Sequence, residues 1–248
     1  MSCVYKVFIL NILITGGASG LGKAITETLA LNSMYRIYFS YNKSIPDALQ
    51  LEEKFLNVKG IHCDFTHPES LKQFCTNIVK LELDVLINNA FTGFEKKHFH
   101  KFSAEAFANS FNDNVVPTLM ITQTAIQQFK KKKSGKIITI LTSALINKPP
   151  IGWSIYVANK AYLLSMSKSW ATEYQKSNIV SNCISPSFML TKMNKDVDER
   201  IVEQMAKKHP LNQLLSTEEV ATSVEYLVKA SMQINGINLL MNAGFDIS

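Results

Sequence analysis

Thr15-Gly16-Gly17-Ala18-Ser19-Gly20-Leu21-Gly22 follows an apolar run at residues 7–15 and opens an amphipathic stretch at 21–31. Glycines at this spacing permit a tight turn and a close backbone approach to a pyrophosphate, held at the positive end of the following helix. A glycine-rich string is weak evidence by itself. Here it joins a first strand to a first helix, and a second strand begins near Arg36. In that setting the loop reads as a dinucleotide phosphate cradle.

Strand-like and helix-like segments alternate from there to the end. Apolar, β-branched or aromatic runs occur at 7–15, 36–41, 58–63, 85–89, 136–142, 179–184 and 237–241. Helical patterns lie between them at 21–31, 46–56, 68–81, 103–133, 153–175 and 217–230. Pro68 suits a first helical turn after Thr66, Ser216 or Thr217 suits an N-cap, and Asn32 and Gly135 suit helix stops. Such alternation requires crossover connections, hence parallel strands covered on both faces. No repeat, linker or composition break divides the chain. The expected fold class is α/β: one doubly wound Rossmann-type domain over residues 1–248, with a seven-stranded parallel sheet.

The 248 residues are 46% hydrophobic and 19% charged, which supplies a large core and excludes a disordered chain. No apolar run approaches the roughly 18 residues of a membrane span. Cys3, Cys63, Cys75 and Cys183 show no metal spacing and read as thiols of a reducing compartment. A cytoplasmic protein is expected, with no metal and no membrane partner. The net charge is +6, but of 26 basic residues only Arg36 and Arg200 are arginine. Nucleic-acid readers concentrate arginine and aromatic groups on one surface, so no nucleic-acid partner is expected. The cluster Lys130, Lys131, Lys132, Lys133 and Lys136 reads as a solvated helix end complementing the dipole, with an acidic docking partner as the alternative.

Tyr156 and Lys160 stand four apart at the start of a helical pattern, so they share one face. Ser143 lies thirteen residues earlier, after the fifth strand, and Asn114 lies in the long fourth helical region. Each alone is ordinary. In order along the chain come TGxxxGxG, Asp64, Asn88-Asn89-Ala90, Asn114, Ser143, Tyr156 with Lys160, Pro186 with Thr191, and a late Asn-Ala-Gly at Gly244. This series resembles the short-chain dehydrogenase/reductase family, and most closely its 3-oxoacyl-carrier-protein reductases.

The resemblance implies an NAD(P)-dependent oxidoreductase acting on a carbonyl or alcohol. Residues of about 7–142 would hold the cofactor and about 143–248 the catalytic and substrate groups, with a lid at about 187–210. Tyr156 would exchange the proton, and Lys160 would favour its phenolate. Ser143 would bind the substrate oxygen, and Asn114 would hold a water relaying protons from Lys160. Gly16, Ser19, Gly20, Leu21 and Gly22 would form the phosphate cradle. Asp64 with Phe65 would meet the adenine, Asn89 and Ala90 the mid-region, and Pro186, Met189 and Thr191 the nicotinamide end. Relatives usually form tetramers through their two long helices, so a homotetramer or homodimer is expected. A non-catalytic cofactor-binding sensor or scaffold is the alternative of a different class.

Two positions depart from the family pattern: Phe91 replaces the glycine of NNAG, and Ser187 the glycine of Pro-Gly. Substrate walls are expected from Ser143, Phe91, Leu145, Trp153, Phe188 and Met193, which favours an apolar or acyl-carrier-bound carbonyl, or another pathway-specific metabolite. At the end of the second strand stand Ser40, Tyr41, Asn42 and Lys43, and no carboxylate occurs between Met34 and Pro46. The group that selects NAD in this fold is therefore missing, and NADP(H) is expected over NAD(H).

Overall fold

The computed structural model describes residues 10–146, 148–191 and 197–245. The expected Met193, part of the expected lid, Cys3 and the start of the first apolar run lie outside them. Seven strands form one parallel sheet in the order β3-β2-β1-β4-β5-β6-β7. These are β1 (Leu10–Ile14), β2 (Tyr35–Tyr41), β3 (Val58–His62), β4 (Val85–Asn88), β5 (Gly135–Ile140), β6 (Ile179–Pro186) and β7 (Asn238–Met241). The helices are α1 (Gly20–Ala30), α2 (Ile45–Lys54), α3 (Pro68–Ile78), α4 (Ala104–Lys132), α5 (Ser154–Glu173), α6 (Glu199–Lys208) and α7 (Thr217–Lys229).

The pleat sorts β1 side chains between two cores. Ile12 and Ile14 join Ile25, Leu29, Val220 and Val224 on the α1/α7 face. Leu13 joins Phe74, Ile121 and Phe129 on the α3/α4 face. Both faces are buried, so the strands read as continuous apolar runs. β1 pairs with β2 on one side and β4 on the other, with Ile14 opposite Phe39 and Ile87. Chain order reverses there, which puts a crevice at the strand ends.

The expected stop at Gly135 is corrected. Lys133 adopts the left-handed conformation (φ 52°) and its N–H bonds the Lys130 and Phe129 carbonyls, while Gly135 opens β5. Gly135 serves packing instead: a Cβ there would lie 2.1 Å from the Phe129 ring. Pro68 opens α3 as expected, and His67 caps it by accepting from the Ser70 N–H, while Thr66 is turned to Asp64. Ser216 and Glu219 form a reciprocal capping box on α7.

Two of the clustered lysines have structural partners. Lys132 pairs with Asp84 and donates to the Glu82 carbonyl at 2.8 Å. Lys136 donates to the Val228 and Ala230 carbonyls at 2.6 and 2.5 Å, satisfying orphan acceptors at the end of α7. Among the described residues no helix is long and apolar enough to cross a membrane.

Candidate active site

The glycine loop crosses the sheet at the β1/β4 crevice. Gly16 sits at φ +66°, and a Cβ on Gly22 would lie 2.0 Å from the Gly16 carbonyl oxygen, so the loop closes onto the first turn of α1 only without side chains. Ser19 is the N-cap residue of α1 but makes no side-chain cap bond, and no acid occupies that turn. An unspent hydroxyl and free N–H groups at a positive helix end suit a phosphate. Leu21 points into the core.

Asn89 fixes the loop from β4. Its Nδ2 donates to the Thr15 and Gly16 carbonyls at 3.0 and 3.2 Å, and the Asn89 and Ala90 N–H groups bond the Thr15 hydroxyl. Thr191, beyond β6, reaches across to Gly20, with its Cβ 3.5 Å from where a Gly20 Cβ would stand. Met189 packs on the core of the α1/α7 face. Pro186 ends β6, and the buried Ser187 hydroxyl has no hydrogen-bond partner among the described residues.

The four residues at the end of β2 have separate surroundings. Ser40 is 2% exposed and accepts from the Gly16 N–H at 2.9 Å, so it braces the loop from beneath. Tyr41 packs edge-on against His62, with ring centres 5.6 Å apart. Asn42 lies close enough to Asp64 to lower the pKa of its carboxyl. The bonds of Asp64 to the Thr66 side chain and N–H, with the nearby Asn42, hold its carboxyl below the usual range. Phe65 packs on Phe74. Lys43 is exposed, with no ion-pair partner among the described residues.

On the other side of the crevice, α5 carries Tyr156 and Lys160 on one face. Lys160 is 4% exposed, and its Nζ donates to the Ile140 carbonyl at 2.8 Å. Burial brings its pKa down to about 8. Burial raises Tyr156, opposed by a side-chain hydrogen bond with Thr142. Ser143 opens the short helical turn Ser143–Leu145 after β5, and Leu145 packs on Val115, Leu141, Leu163 and Cys183. The Asn114 side chain is committed: its Oδ1 accepts from the Thr92 N–H and hydroxyl at 2.7 and 3.0 Å.

Phe91 turns over Tyr156 and Lys160. Its ring lies 4.9 Å from the Lys160 Nζ and 5.1 Å, edge to face, from the Tyr156 ring. Phe94 stacks on Tyr156 at 4.5 Å and 24°, and Trp153 meets Tyr156 at 5.4 Å and 88°. Sequence reasoning missed Phe94, Thr92 and Thr142. Thr142 was findable as the neighbour of Ser143. Phe94 lies in an irregular segment where no periodicity fixes side-chain direction.

Residues 10–201 match the profile described as short chain dehydrogenase. The chain belongs to that family. This short chain dehydrogenase is an NAD(P)-dependent oxidoreductase. It is 30% identical over 220 residues to the 3-oxoacyl-[acyl-carrier-protein] reductase FabG of Thermotoga maritima, covering 87% of this chain and 88% of that protein. It is 26% identical over 257 residues to a tropinone reductase homolog of Arabidopsis thaliana, covering 99% and 93%. Among solved structures, a single-residue variant of actinorhodin polyketide ketoreductase with NADPH superposes with a TM-score of 0.88 at 17% identity, covering 99% of this chain and 100% of that one. At that identity the likeness shows the fold of the dehydrogenase alone.

Proposed function

We propose that this chain reduces an apolar carbonyl, a 3-oxoacyl thioester or a similar ketone or aldehyde, with NADPH preferred. The observation that carries the reading is Lys160, buried and held at the Ile140 carbonyl on the same α5 face as Tyr156. The glycine cradle, the unspent Ser19 hydroxyl and the acid-free first turn of α1 fit a dinucleotide phosphate. A nicotinamide cofactor bound there supplies the hydride. Gly16, Ser19, Gly20, Leu21 and Gly22 would hold its pyrophosphate, and Asp64, Asn89 and Thr191 would contact its remaining parts.

Tyr156 donates the proton to the substrate oxygen, and Ser143 donates a hydrogen bond to the same atom as negative charge grows there. Lys160 stabilises the phenolate left behind and binds the ribose hydroxyls. The water linking Lys160 to solvent would be held by backbone at Asn114, whose side chain is spent on Thr92 and Ser110; Pro117 inside α4 leaves the neighbouring Asp113 carbonyl without its helical N–H donor and so free to accept from it. Residues of about 7–142 serve the cofactor and about 143–248 the substrate. The apolar groove between α4 and α5, lined by Phe107, Phe111, Ile155 and Ala158, suits contact between copies of this chain in a dimer or tetramer. The reading is tested by following NADPH oxidation over a panel of ketoacyl thioesters, ketones and aldehydes; absence of turnover across the panel overturns it.

The pH profile follows from Lys160. With its pKa lowered to about 8, it is charged below that pH and neutral above. Reduction leaves a phenolate that needs this charge. The kcat/KM for reduction is therefore expected to be level from pH 6 to about 8 and to fall as pH rises further. A rate still climbing at pH 9 would assign the role elsewhere.

Lys43 sets the cofactor preference. No carboxylate occurs in the sequence between Met34 and Pro46, and Lys43 is exposed just after the end of β2. One point charge on a 2′-phosphate is worth about 1–2 kcal/mol, or about five- to thirty-fold. Lys43→Ala should lower the NADPH/NADH ratio of kcat/KM by that factor. An unchanged ratio refutes the assignment.

A further inference from the structure

Three aromatic rings enclose the ring of Tyr156. Phe94 lies parallel on its face, while Phe91 and Trp153 present themselves at 79° and 88°. Phe94 also meets Trp153 at 5.0 Å, so the group is one continuous cluster. Two irregular segments are stitched to build it: the Lys97 N–H donates to the Gly152 carbonyl at 3.2 Å, and Thr92 is tied to Asn114. Phe91 stands where the family pattern has glycine, so part of this enclosure belongs to this chain rather than to the fold.

Of the three rings only Phe94 lies on the face of Tyr156, so a substrate seated against that face with its oxygen at the Tyr156 hydroxyl would take the place of the Phe94 ring. Parting Phe94 from Tyr156 forfeits a stacked contact. A flat, conjugated carbonyl compound restores ring-on-ring contact as it enters, so the exchange is nearly balanced. A saturated chain or chair-shaped ring cannot restore it. We propose that the site selects planar, conjugated carbonyl substrates of the aryl aldehyde or aryl ketone class over saturated ones, and that Phe94 is the specificity-determining residue. This rests on the carbonyl reduction proposed above and chooses the ketone or aldehyde over the acyl thioester.

Benzaldehyde and cyclohexanecarbaldehyde have the same carbon skeleton and differ in flatness and conjugation, so the effect is read from their ratio across variants. The wild type should favour benzaldehyde at least tenfold in kcat/KM. Phe94→Leu should cut that ratio at least fivefold, mainly through KM for benzaldehyde, and Phe94→Tyr should restore it. Taking the ratio between variants removes the intrinsic reactivity difference of the two aldehydes. Binding is read separately by quenching of Trp153 fluorescence with benzyl alcohol and cyclohexylmethanol; Trp153→Phe reports the core Trp170 alone. Equal ratios in wild type and Phe94→Leu overturn the proposal. If neither aldehyde is reduced, the proposed reaction fails for them, and the fluorescence titrations decide: tighter benzyl alcohol binding that is lost in Phe94→Leu sustains the selectivity, and equal binding overturns it.

Discussion

Tyr156→Phe should reduce turnover by about 10²–10⁴-fold, the usual worth of a positioned general acid, while leaving NADPH affinity within a few-fold of wild type. The substitution removes one oxygen and no ring. Its stack on Phe94 and its edge contacts with Phe91 and Trp153 persist, so the enclosure keeps its shape. What disappears is the hydroxyl, whose pKa burial raises, so that at neutral pH it is a protonated donor. The ring and its packing remain, so the substitution should leave stability close to that of the wild type. Cofactor fluorescence titration and NADPH oxidation read the two quantities separately. Turnover within tenfold of wild type would place proton transfer on another group.

Gly22→Ala should be the most damaging conservative change in the glycine loop. Helix propensity alone favours alanine by about 1 kcal/mol. The added Cβ, however, would lie 2.0 Å from the Gly16 oxygen and 2.7 Å from the Asn89 Nδ2. Backbone cannot yield as a flexible side chain does, and Asn89 is itself bonded to the Thr15 and Gly16 carbonyls. The loop must therefore move as a unit. Expected losses are about 2–4 kcal/mol in urea unfolding and more than about 100-fold in NADPH affinity. Gly20→Ala is the control. Its Cβ has room, 3.5 Å from Thr191, and only φ +51° to tolerate, so about 1–2 kcal/mol is expected. Equal effects at the two positions would show that left-handed backbone, not close packing, governs the loop.

The sequence by itself determined the alternation of strands and helices, the parallel sheet, the glycine loop between β1 and α1, and the sharing of one α5 face by Tyr156 and Lys160. These follow from periodicity and chain order, which act over a few residues and are written locally. Even Phe91 stands out of the family pattern in the sequence, though the direction of its ring does not. Only the tertiary structure decided that Ser40 faces the loop, that Asn114 is committed to Thr92, and that Gly135 makes room for Phe129 instead of ending a helix. It alone brought Phe94, from one irregular segment, onto Tyr156 and against Trp153, which follows another. Irregular backbone carries no period, so the direction of its side chains is set by contacts with residues far away in the chain. Tyr156 and Lys160, proposed to react, stand on a regular helix and were legible; the groups proposed to choose the substrate stand mostly on loops and were not.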